Sequence, residues 1–143
     1  MQKIPKCTAA VINLWMSSTS ISRKIDLRLG AIHGIGFTEY MVLFHLMNAP
    51  NNVQRRIDLA DAIGRTASGV TRMLLPMEKI GLVTKESNPR DARVSLVKVT
   101  AAGEKVFHDA STTLNEESKH RLRRVDSQGI NDLLEIFNAI NEE

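Results

Sequence analysis

Near the N-terminus the apolar positions recur at heptad-like spacing. Cys7, Val11, Leu14, Ser18, Ile21 and Ile25 follow one another at intervals of 4, 3, 4, 3 and 4, with Ser18 the only polar member. This predicts a long helix from about Pro5 to Leu29, with proline in the first turn, where its missing N–H has no helical partner to lose. Gly30, Gly34 and Gly36 are expected to break it. A seam this narrow packs either inside one domain or against a second chain, and spacing alone does not separate the two. Phe37, Met41, Phe44, His45 and Met47 predict a short amphipathic helix that stops at Asn48 and Pro50. A third helix is expected from about Gln54 to Ile63, with Ile57, Ala60 and Ile63 on one side and Gly64 as its stop.

The fourth helix carries the strongest pattern. Thr66 is its expected N-cap, and Val70, Met73, Leu74, Met77 and Ile80 are spaced to form one buried face. At 100° per residue, Arg65, Ser68, Arg72, Leu75 and Lys79 gather on the opposite side with Thr71 on the flank, a stripe of cations and short hydroxyls. Pro76 removes the amide that would bond the Arg72 carbonyl, and predicts a bend. Gly81 ends the helix. Leu82–Ser87 and Arg93–Thr100 then read as two strands joined by the turn-rich Asn88-Pro89-Arg90-Asp91-Ala92, a β-hairpin with a basic tip. Thr100 is placed to cap a helix from Ala101 to about Arg124, and a last helix is expected over Ile130–Asn141, with Ile130, Leu133, Leu134, Phe137 and Ile140 apolar. The fold class is mainly α with a small β-hairpin wing, an α+β arrangement.

Composition narrows this picture. A chain of 143 residues, 43% hydrophobic and 24% charged, fits one soluble globular domain. The longest charge-free run, Cys7 to Ser22, holds Asn13 and six Ser or Thr residues, so no spanning helix and no membrane partner is expected. No apolar leader core follows Met1, and a single cysteine cannot form an internal disulfide, which points to the cytoplasm. The net charge of +3 is unevenly spread: residues 52–100 carry nine Lys or Arg against five Asp or Glu, whereas residues 101–143 carry five against nine. Such asymmetry suggests a polyanionic partner for the basic part.

Catalytic chemistry finds no frame. There is no Gly-rich phosphate loop, nucleophile elbow or His-Glu-x-x-His, so neither an enzyme nor a cofactor is expected. His33, His45, His108 and His120 include no pair at i, i+3 or i+4, which argues against a metal site. Cys7 falls on the apolar seam and is expected to be a buried structural residue rather than an oxidant sensor. Trp15, beside Met16 and the Ser17–Ser20 run, is either an aromatic of a dimer core or a ligand-binding residue.

Helix, tight turn, helix and β-hairpin is the order of a winged helix-turn-helix. Asp58-Leu59-Ala60, Ile63-Gly64, Ser68-Gly69-Val70-Thr71-Arg72, Met77-Glu78-Lys79-Ile80-Gly81-Leu82-Val83, Asp91-Ala92-Arg93, Val99-Thr100 and Gly103 together resemble the MarR family of bacterial transcriptional regulators over about Phe37 to Gly103. The resemblance implies one domain over 1–143, with a DNA-binding lobe at 37–100 and dimerisation helices at 5–30 and 101–143. It implies a homodimer on double-stranded DNA, probing a pseudo-palindromic operator as a repressor and released by a small phenolic or other aromatic effector. A non-specific architectural DNA binder and a redox- or metal-responsive regulator are the alternatives. The DNA-binding residues are then Arg65, Thr66, Ser68, Thr71, Arg72 and Lys79 on the fourth helix and its lead-in, with Lys85, Arg90, Asp91 and Arg93 on the wing; Arg93 is the wing arginine held by Asp91. Pro76 and Leu75 depart from the polar residues more usual at their positions.

Overall fold

In the computed structural model, which describes residues 3–142, six helices surround a small antiparallel sheet. α1 spans Lys6–His33, α2 Phe37–Met47, α3 Arg56–Ala62, α4 Ala67–Lys79, α5 Ala101–Arg121 and α6 Ser127–Asn141. The strands are β1 (Val53–Arg55), β2 (Val83–Asn88) and β3 (Asp91–Val99), in the order β1-β3-β2.

α1 begins after Pro5, as expected, but runs through Gly30 instead of ending before it. Its stop is Gly34, whose φ of 71° lets the N–H turn back onto the Gly30 carbonyl at 3.1 Å. One glycine inside a helix costs roughly 0.5–1 kcal/mol relative to alanine, too little to end a helix that packs along its length. α2 keeps its expected limits. The expected third helix is shorter at its start, because Val53, Gln54 and Arg55 pair with Lys98, Val97 and Leu96 of β3. The hairpin thereby becomes a three-stranded sheet, with a turn at Pro89-Arg90 shorter than the expected linker and a register irregularity between Ser87 and Asn88.

The core lies where α1, α2 and α5 meet the helix-turn-helix and the sheet. Leu29, Val42, Leu43, Leu46, Leu59, Val70 and Val97 are fully enclosed. Polar links brace the helices: His33 Nε2 meets Thr113 Oγ1 at 2.7 Å, the hydroxyls of Tyr40 and Ser111 lie 2.8 Å apart, and Arg28 pairs with Glu117 at 3.3 Å. Thr100 caps α5 by accepting from the Gly103 N–H at 3.0 Å while its own N–H donates to the Leu82 carbonyl. These bonds lock the foot of the hairpin to the helix behind it.

Several expected burials do not occur. Ile57 and Ile80 are exposed: Ile57 sits in the first turn of α3 away from the core, and Ile80 falls beyond the last residue of α4. α5 ends at Arg121 and α6 starts at Ser127, earlier than the apolar pattern alone marks. Of the seam on α1, only Ile25 is buried; Cys7, Val11, Leu14 and Ile21 are exposed in the single chain, which corrects the expectation of a buried cysteine. α6 buries none of its residues. The N-terminal half of α1 and α6 instead border an apolar groove of about 830 Å³, lined by Leu14, Ile21, Phe37, Leu133, Phe137 and Ile140 among others. No helix among the described residues is long and apolar enough to cross a membrane.

Candidate nucleic-acid interface

The interface is built on α4. Thr66 caps it as expected, its Oγ1 accepting from the Gly69 N–H at 3.1 Å, and the Ser68 hydroxyl lies 3.3 Å from the same oxygen. Val70, Leu74 and Met77 face the core, so Ser68, Arg72, Leu75 and Lys79 are turned outward, with Arg65 just ahead of the cap. The helix continues through Pro76, which lies on the exposed side. Among the described residues Arg65, Arg72, Lys79 and Arg90 form no ion pair, and their charges face solvent.

The wing carries a second set. The Asp91 carboxylate accepts from both the backbone N–H of Arg93, at 3.0 Å, and its guanidinium Nε, at 3.2 Å. This fixes the root of an Arg93 side chain that is otherwise 92% exposed. Arg90 sits in the turn itself, its N–H held by the Asn88 side chain at 2.9 Å. Lys85, in contrast, reaches back to Glu78 of α4 at 3.8 Å, and Lys98 pairs with Glu86 at 3.7 Å. Both lysines are partly neutralised from within the lobe.

Thr71 does not present a free hydroxyl. It donates to the Ala67 carbonyl at 3.0 Å and accepts from Arg56 Nη1 at 3.0 Å, so it braces α3 against α4. Arg55 and Arg56 were absent from the sequence-based set, since they fell inside the expected third helix. Yet they open α3, where cations oppose the positive end of the helix dipole, a signal readable from the sequence. Arg55 forms a two-point bond to Asp58, at 2.7 and 3.0 Å. That bond holds the Asp58 carboxyl below the usual carboxylate range and raises the Arg55 guanidinium above its ordinary value. Arg55, Arg56 and Arg93 line one cleft of about 260 Å³ between α3, the start of α4 and β3.

Trp15 is 69% exposed and lines neither the apolar groove nor the smaller pocket of about 270 Å³ formed by Ser22, Phe37, Thr38, Met41, Ala62, Ile63 and Arg65. No cluster of three or more His, Cys, Asp or Glu side chains able to hold a metal ion occurs among the described residues.

Comparison with known proteins agrees with this geometry. Residues 37–95 match the family model of the MarR family. The fold is similar to that of the transcriptional regulator BldR from Sulfolobus solfataricus, with a TM-score of 0.88 at 23% identity over 98% of this chain and 97% of that one. Sco3205 from Streptomyces coelicolor, a MarR family transcriptional regulator in complex with DNA, superposes at 0.86 with 20% identity, covering 98% and 89%. A MarR variant from E. coli complexed with operator DNA gives 0.76 at 19% identity, covering 93% and 96%. The family and these neighbours are transcriptional regulators, not enzymes.

Proposed function

We propose that this protein is a MarR-family regulator, a homodimeric, sequence-specific DNA-binding repressor of the cytoplasm, since residues 37–95 match the MarR family model and the described chain has the fold of MarR-family transcriptional regulators. The observation that carries the reading is the outward stripe of unpaired Arg72 and Lys79 on α4, with Arg65 just ahead of its cap, standing on the same lobe as the Asp91-anchored Arg93 of the wing. A helix of this width enters a major groove, where Arg72 forks onto guanine O6 and N7 and Ser68 reaches a base edge or phosphate. Arg90 and Arg93 then lie toward the flanking minor groove. Thr66 serves as the cap that orients the first turn, and Asp91 as the holder of Arg93.

The dimer is supported by the exposed apolar residues of α1 and α6, including Val11 at 67% and Leu134 at 57%, which one chain leaves in water. Two copies give two recognition helices about 10 base pairs apart or a multiple, matched to a pseudo-palindrome, and occupation of such a site blocks a promoter. An aromatic effector fits the pocket between α1, α2 and Arg65, where a bound ring alters how the helices of the two lobes meet. The test is selection of bound DNA from a random pool at two salt concentrations. A specific regulator enriches a two-fold symmetric motif at both; an architectural binder enriches none, and its retained DNA vanishes as salt rises.

A further inference from the structure

The cleft between α3, α4 and the wing contains a charge that the protein leaves uncompensated. Of its three arginines, Arg55 is already matched by Asp58 and Arg93 is tethered to Asp91. Arg56 has no acidic partner among the described residues. Its Nη1 donates to Thr71, a neutral hydroxyl, and its Nε is buried with no acceptor at all. A guanidinium cannot shed its proton to relieve such a site, and an unpaired N–H out of contact with water carries its full desolvation cost. Three further features favour an anion here. The cleft is open to solvent and, at about 260 Å³, several times the ~30 Å³ share of one water. Ala67, first residue of α4, lines it, so the positive end of that helix lies alongside. The Thr71 hydroxyl, whose proton is committed to the Ala67 carbonyl, can only accept from Arg56, and so points the guanidinium in one direction.

We propose that this cleft seats one phosphodiester group of the bound duplex, with Arg56 as the residue that holds it and Thr71 as the residue that positions Arg56. The site rests on the DNA-binding reading above and adds to it a fixed register point, since the phosphate would be gripped at the junction of helix-turn-helix and wing. Thr71 then acts through Arg56 and not on a base, which reverses its expected role.

The test uses the selected operator and the full-length protein. Each neutralised phosphate contributes about 0.9 to the slope of log affinity against log salt, so Arg56→Gln should lower that slope by about 0.9 and weaken binding to operator and random DNA alike. A scan with single methylphosphonates, which remove one negative charge at a time, should reveal a position in each half-site that costs wild-type affinity and costs Arg56→Gln nothing. Arg56→Lys keeps the charge; it should keep the slope while losing part of the affinity at that same position. It also carries the test should the glutamine variant fail to fold by circular dichroism. An Arg56→Gln protein that folds, binds DNA and shows the wild-type slope and methylphosphonate pattern would overturn the proposal. So would protection of wild type, but not Arg56→Gln, against heating by inorganic phosphate with the DNA slope unchanged, because the seat would then belong to a free anion. If the wild-type protein bound no DNA, the underlying reading would fall, and that result is distinct from either.

Discussion

At the scale of single residues, the difference that matters is between charges that the fold has already paired and charges it has left open. Arg72 and Lys85 are both exposed cations of the winged-helix lobe, and each adds one positive charge to the sequence. In the structure Arg72 is unpaired on the outward face of α4, whereas Lys85 is drawn toward Glu78. Arg72→Ala should therefore cost about 1–3 kcal/mol on the selected operator and relax preference at one base pair, while Lys85→Ala should weaken all sequences slightly and evenly. Fluorescence anisotropy on the operator and its single-base variants measures both. Unchanged affinity and preference in Arg72→Ala would remove α4 from the groove. Leu75 belongs to the same outward face and is 49% exposed, with Arg72 and Lys79 on either side along the helix. In the proposed reading it is the apolar member of the groove-facing stripe, of a kind that meets a thymine methyl.

Secondary-structure elements show the same dependence on context through their glycines. Gly30 lies within α1 with nothing near an added Cβ, whereas a Cβ on Gly103 would run into the Leu82 backbone carbonyl and the Val99 side chain. The first turn of α5 thus approaches the foot of the wing as closely as a residue without a side chain allows. Gly30→Ala should stabilise by roughly 0.5–1 kcal/mol through helix propensity. Gly103→Ala should destabilise by about 1–3 kcal/mol, because the obstacle is main chain that cannot rotate away. Thermal melts of the two variants should move in opposite directions, and a Gly103→Ala protein melting at or above the wild-type temperature would contradict the close contact. The helices themselves were legible from periodicity: α2 begins at Phe37, the first of its apolar positions, and α4 follows its Thr66 cap. β1 was not, since three residues such as Val53-Gln54-Arg55 have no period of their own and become a strand only by pairing with β3.

For the molecule as a whole, the groove between α1 and α6 is the surface on which the proposed dimer rests. Leu14 and Ile136 are 38% and 53% exposed, and α6 has no buried residue, so a monomer would hold its last helix with little enclosed apolar area. Leu14→Asp together with Ile136→Asp should shift sedimentation from dimer to monomer and cut operator affinity by well over tenfold, since one lobe alone reads one half-site. A double variant that still sediments as a dimer would place the interface elsewhere. By itself the amino-acid order determined the helical seam of α1, the two faces of α4, the caps at Thr66 and Thr100 and the Asp91–Arg93 pair, because each depends on residues within a turn or two of one another. Only the tertiary structure decided that Val53 to Arg55 join the sheet, that Thr71 bonds Arg56, that Lys85 is matched by Glu78, and that Arg56 meets no acidic side chain among the described residues. Those outcomes turn on groups from separate elements meeting in space, and neither periodicity nor net charge records which of them meet.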